Sequence, residues 1–174
     1  SWDVSKVQSL AYMFFYANNF NKKIDWNVEN VETMRGMFYG ATNFNSHIVF
    51  HNIGKVKIMA YMFCGCWFFN KPINNWDITN VETMESMFQN AKSFNQDLSL
   101  WNTENVESMS HMFSGALSFE KNIKMWNIDS VSEFSNMFMN CPIMELYDTK
   151  ETPFYTFFTI DLDDTNIHDA VKLW

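Results

Sequence analysis

Apolar residues recur along this chain at fixed distances from six valines, Val7, Val31, Val56, Val81, Val106 and Val131. Each valine opens a phrase Val-x-x-Φ-x-x-Met-Phe-x-x-(Ala/Cys), where Φ is Leu, Met or Phe. The later valines are evenly spaced, and only the step from Val7 to Val31 is shorter, by a single position. A fixed period of this size belongs to repeat architectures that stack one supersecondary unit per turn. Within the copy that starts at Val81, the apolar offsets are 0, 3, 6, 7, 10 and 13 (Val81, Met84, Met87, Phe88, Ala91, Phe94). That spacing lies along one face of a helix and predicts a short one. Asn30, Asn80 and Asn105 precede their valines as N-caps, and Gly40, Gly65 and Gly115, three residues after the Met, are placed to end the helix.

The second half of each copy has strand character with one irregularity. Ile24 and Trp26 are two apart, whereas Ile73 and Trp76, Leu98 and Trp101, and Ile123 and Trp126 are three apart. In an unbroken strand that extra residue would turn the tryptophan to the opposite face, so a bend or bulge must absorb it. The expectation is an α/β stack of about six helix-plus-short-strand repeats, with the short strands forming a parallel ladder. The repeats occupy residues 1–144 as one domain. After Cys141-Pro142 the phrase fails, Asp148 and Glu151 standing where Ile and Trp are expected, so 145–174 is read as a C-terminal cap over the last layer.

Stacking turns each phrase position into a row. The Met row (13, 37, 62, 87, 112, 137) and the Phe row (14, 38, 63, 88, 113, 138) have no exception. Asn21, Asn45, Asn70 and Asn95 form an amide row of the kind that bonds the backbone of neighbouring turns, and Glu120 breaks it. The row after the valine (Gln8, Glu32, Lys57, Glu82, Glu107, Ser132) reads as a solvated face on which Lys57 relieves its acidic neighbours.

Composition narrows the function classes. At 47% hydrophobic and 18% charged over 174 residues, the chain buries a sizeable core. The net charge is −8, and five of those charges fall in 145–174. A pI near 4.8 disfavours binding to nucleic acid, which needs a basic patch. No apolar stretch reaches the roughly 20 residues of a membrane-spanning helix, and no targeting segment opens the chain.

Candidate chemistry is sparse. Cys66 and Cys141 occupy the small-residue row, and Cys64 lacks partners at zinc-like spacing. His51 replaces the tryptophan of its row, with Phe50 beside it to take over the aromatic volume while His51 turns outward; His47, His111 and His168 sit at variable positions. Asp161, Asp163 and Asp164 lack the glycine and final carboxylate of a calcium loop. No nucleophile–base set, phosphate loop or HExxH is present, so no catalytic, cofactor or metal residue is assigned and the chain is read as non-enzymatic. The one functional row is Trp76, Trp101 and Trp126, which in register would make a strip for glycan or partner contact. The competing assignment of that row is solenoid core.

The phrase running from Phe94-Asn95-Gln96-Asp97-Leu98 through Trp101-Asn102 and Val106 to Met112-Phe113-Ser114-Gly115-Ala116 resembles the BspA-type leucine-rich repeat. The likeness covers residues 1 to about 144. Such repeats abound in Mycoplasma surface lipoproteins, in surface proteins of other bacteria, and in some protists and large DNA viruses. The resemblance implies a right-handed leucine-rich-repeat-like solenoid at a cell or virion surface. Its implied role is adhesion, surface display or assembly contact, with other proteins as partners and a glycan as the alternative. His51, Glu120 and the segment 145–174 depart from the pattern.

Overall fold

The computed structural model describes residues 2–143, which form a stack of six irregular coils, one per copy of the phrase. The expected cap at 145–174, with Asp161, Asp163, Asp164 and His168, lies outside the described residues.

The predicted helix is absent. None of the six Val-to-Ala/Cys segments is α-helical, and the helix-plus-strand solenoid is replaced by coils built of consecutive tight turns. In the fourth copy Met87 N–H donates to the Met84 carbonyl, Gln89 to Ser86 and Ala91 to Phe88, and the other five copies repeat all three bonds. Positive φ falls five and nine residues after the valine in every copy, at Tyr12 and Tyr16, Gly36 and Gly40, Tyr61 and Gly65, Ser86 and Asn90, His111 and Gly115, Asn136 and Asn140. A positive φ at the third residue of a turn closed by an i+3 to i bond is the mark of a type II turn. A tight turn brings residues three apart to one side. Successive turns therefore point the same offsets inward as a helix would, and the apolar spacing alone does not separate the two.

The residues skipped by the turn bonds join the coils. Met84, Ser86, Phe88 and Asn90 donate their N–H groups to the carbonyls of Ser108, Ser110, Met112 and Ser114 in the next coil. The same four donors recur at each junction between consecutive copies. A line of single parallel bridges, Ser9 to Thr33, Ile58, Thr83, Ser108 and Glu133, follows the same column.

The strand half is only partly as expected. β1 (Ile24–Asn27) and β2 (Ile48–His51) pair in parallel, with Trp26 opposite Phe50, and a short 3₁₀ turn follows at Ile53–Lys55. In the third to fifth copies the strand gives way to a turn in which Trp76, Trp101 and Trp126 donate N–H to Ile73, Leu98 and Ile123. That turn absorbs the extra residue and keeps both apolar side chains inward. Phe50 is buried and packs 5.3 Å from Trp76, while His51 faces solvent and pairs with Asp25 at 2.9 Å.

The core is a set of aromatic columns. Phe38, Phe63, Phe88 and Phe113 stack with centroids 5.5, 5.7 and 5.6 Å apart, and each pairs within its own coil with Phe44, Phe69, Phe94 or Phe119 at 4.0–4.2 Å. These separations are those of offset-stacked rings. The asparagine row bonds as expected: the Oδ1 atoms of Asn21, Asn45, Asn70 and Asn95 accept the N–H of Asn45, Asn70, Asn95 and Glu120 at 2.9–3.1 Å. Glu120 stands last in this row, its backbone N–H donating to Asn95 Oδ1. Asn30, Asn80 and Asn105 do not cap helices; their Nδ2 groups reach back to the carbonyls of Ser5, Gly54 and Thr79 in the preceding coil.

Phe88 is fully buried between two neighbours in its column. Phe88→Ala is expected to cost roughly 3–5 kcal/mol, against about 0.5 kcal/mol or less for Leu100→Ser on the exposed surface. Urea unfolding of the two variants compares them directly.

Candidate functional site

The tryptophan row is not on the surface. Trp76, Trp101 and Trp126 are 5%, 4% and 4% exposed, and the indole N–H groups of Trp101 and Trp126 donate inward to the carbonyls of Ile73 and Leu98. Trp76 Nε1 has no such partner; the coil before it is the one that carries β2 instead of the turn. As a contact strip this row is corrected: Trp76, Trp101 and Trp126 fill the core.

Apart from Trp2, which stacks on Trp26 at the start of the tryptophan row, the exposed aromatics lie elsewhere, outside the repeated rows. Tyr12, Phe15, Tyr16, Trp67 and Phe68 are exposed and Tyr39 and Tyr61 half-buried, all from the first three coils. At the corresponding turn positions the later coils carry Ser86, Gln89, Asn90, His111, Ser114 and Asn136, so the rings mark one end of the stack. The tyrosines and Phe15 stand five, eight or nine residues after the valine, on either side of the Met and Phe positions, and Trp67 and Phe68 follow Cys66.

Tyr12, Phe15, Tyr16, Tyr39, Tyr61 and Arg35 line a depression of about 500 Å³. Two glycines lie against its tyrosines. A Cβ at Gly36 would collide with the Tyr12 ring, and one at Gly40 would lie 2.6 Å from the Tyr16 ring, so both tyrosines lie down on bare backbone. Both glycines also hold positive φ, which L side chains resist. Tyr12 meets Phe15 edge-on at 86°, Phe15 meets Tyr16 at 84°, and Tyr16 meets Tyr39 at 69°. The walls are faceted.

Arg35 sits within this recess. Its Nε donates to the Tyr12 hydroxyl at 3.1 Å, and its guanidinium carbon lies 4.8 Å from the centre of the Tyr61 ring. The Tyr61 hydroxyl in turn donates to Glu85, and burial, with that carboxylate, pushes its pKa up. A second, smaller depression of about 320 Å³ adjoins the first through Tyr16 and Tyr39, and here Lys92 stands 3.9 Å over Trp67. Both cations are held by ring faces.

The remaining titratable groups are spread out. Among the described residues no group of three or more His, Cys, Asp or Glu is placed to hold a metal. The ion pairs among those residues are Lys23–Asp25, His51–Asp25 and Lys57–Glu82, all exposed. Hydrogen bonds from His51 and Lys23 hold the Asp25 carboxyl below its usual range. Cys64, Cys66 and Cys141 are free and buried, and burial pushes the Cys64 and Cys141 thiols to about 11 and Cys66 well up. Cys66 directs its thiol at the Phe38 carbonyl 3.0 Å away.

The sequence signal for the exposed aromatics is their place at unrepeated positions in copies one to three, beside Arg35, the one arginine among twelve basic residues.

The thiols generate a pH prediction. The unfolded chain loses its thiol protons near pH 9 while the folded chain holds those of Cys64 and Cys141 to about pH 11. Stability is therefore constant below pH 8 with respect to these groups and falls as pH rises from about 9 to 11. Denaturant midpoints across that range should drop, and Cys141→Ala should drop less steeply; iodoacetamide at pH 8 should leave the native thiols unmodified.

The model of one family, described as Mycoplasma protein of unknown function, DUF285, matches the chain twice, over residues 1–84 and 59–147. No curated protein and no solved structure matches it. Among the described residues no helix is long and apolar enough to cross a membrane.

Proposed function

The chain belongs to the Mycoplasma family DUF285, related to BspA-like repeat proteins, and on that premise we propose that it is a non-enzymatic module that binds another protein at a cell or virion surface. The observation that carries this reading is the aromatic face of the first three coils, where Phe15, Tyr16 and Phe68 are 50%, 56% and 53% exposed beside Arg35 and Lys92. Tyr, Trp, Phe and Arg are the residues enriched at the centres of protein interfaces, and contiguous exposed apolar surface is uncommon unless something covers it. Tyrosine suits contact because it offers a large ring and a hydroxyl at a small entropic cost. The stack beneath supplies rigidity: Phe14, Phe38 and Phe63 are core residues directly under the exposed positions.

A test uses the full chain immobilised and exposed to surface-protein extracts, beside a Phe15→Ser/Tyr16→Ser variant and a Leu100→Ser/Met125→Ser control. A protein retained by the parent and the control, and reduced at least tenfold on the aromatic-face variant, is the expected outcome. Equal retention by all three chains contradicts the reading, as does retention abolished by soluble polysaccharide but not by salt.

A further inference from the structure

Arg35 is a partly buried cation with no carboxylate partner among the described residues. None of the ion pairs there includes it, and its side-chain hydrogen bonding is the one Nε bond to Tyr12. Glu85, which lies against its ring partner, is occupied by the Tyr61 hydroxyl. The guanidinium is nonetheless fixed: Nε is tethered, one side lies against Tyr61, and Gly36 next to it in sequence leaves the space into which Tyr12 folds. A guanidinium held in this way keeps its two terminal nitrogens for a carboxylate, which it binds by two parallel hydrogen bonds.

We propose that the recess around Arg35 is a socket for a carboxylate side chain flanked by an aromatic residue, presented by an acidic segment of a partner protein. This rests on the protein-contact reading above and names the chemistry of the partner. Ring geometry favours a peptide over an acidic sugar. A pyranose stacks on a flat platform, whereas the rings here meet at 69–86° in three pairs, 46° in a fourth and face to face at 27° between Phe15 and Tyr39, which encloses a faceted hollow and leaves no single plane. A carboxylate seats on the fork, and its aromatic neighbour packs edge or face against Phe15, Tyr16 or Tyr39. Lys92, over Trp67 in the adjoining depression, offers a second positive charge along the same face. The chain as a whole carries −8, so selection for an acidic partner is local to these two cations and weakens with salt.

Because the chain has one arginine, labelling arginine with ¹⁵N gives a single guanidinium Nε–H resonance that reports this site alone. The probes are the acetylated, amidated pentapeptide Gly-Phe-Glu-Phe-Gly, its Gln counterpart, and a hyaluronan tetrasaccharide. The Glu peptide should shift the resonance saturably and bind at least tenfold more tightly than the Gln peptide. Arg35→Lys, which retains charge but not the fork, should lose most of that preference while its melting temperature stays close to the parent's. Equal binding of the two peptides, an unmoved resonance at saturating Glu peptide, or a stronger response to the tetrasaccharide overturns the socket. Loss of the socket alone leaves the contact face standing if Phe15→Ser/Tyr16→Ser still reduces partner retention.

Discussion

Each of the first five coils leaves four backbone N–H groups that the next coil satisfies in register. In the fourth copy these are the groups of Met84, Ser86, Phe88 and Asn90, directed at Ser108, Ser110, Met112 and Ser114. Docking the next coil takes these groups out of water, where a buried N–H left unpaired costs about 1–3 kcal/mol, so a coil seated out of register is penalised at each of them. Register also decides the sign of the remaining terms. Non-glycine residues such as Tyr61 and Ser86 accept a left-handed backbone at about 1–2 kcal/mol each, and that strain is tolerated because it aims alternate N–H groups along the stack. The Phe columns, the asparagine row and the Trp indole bonds all presuppose the same alignment.

The architecture separates the positions that fill the core from those that vary between copies. Positions pointing along the interior are held to Met, Phe and Ala or Cys by packing on both sides. Between them lie positions that differ from copy to copy, exposed at Tyr12, Phe15 and Tyr16 and buried at Ala60, Cys64 and Ser86. Tyr39, Tyr61 and Arg35 occupy the same positions and line the depression with the exposed rings. The exposed aromatics of the first three coils thus sit on turns whose Met and Phe positions keep the columns intact.

How much of this is legible in the sequence follows from the same division. The rows are legible because the fixed period puts Phe63, Phe88 and Phe113 at one position, and the bend before Trp76 is legible because the spacing from Ile73 changes by one. The helix is a misreading, since tight turns in series repeat the three- and four-residue spacing of a helix. The row Gly40, Gly65, Asn90, Gly115, Asn140 carries the correct answer: a left-handed position needed in every copy, which resembles a helix terminator when one copy is taken alone. The strand ladder is half right, since β1 and β2 are strands and the later copies are turns. The exposed aromatics of the first three coils escape a search that follows the repeated tryptophans, because Trp76, Trp101 and Trp126 fill the inside.

Backbone NMR of residues 81–91 tests the central claim most directly. Stacked turns predict nuclear Overhauser contacts between the Phe63, Phe88 and Phe113 rings, and amide couplings at Ser86 and Asn90 that report positive φ. A continuous run of helical α-carbon shifts through this segment, with Phe88 showing no contact to the rings of Phe63 and Phe113, would contradict it.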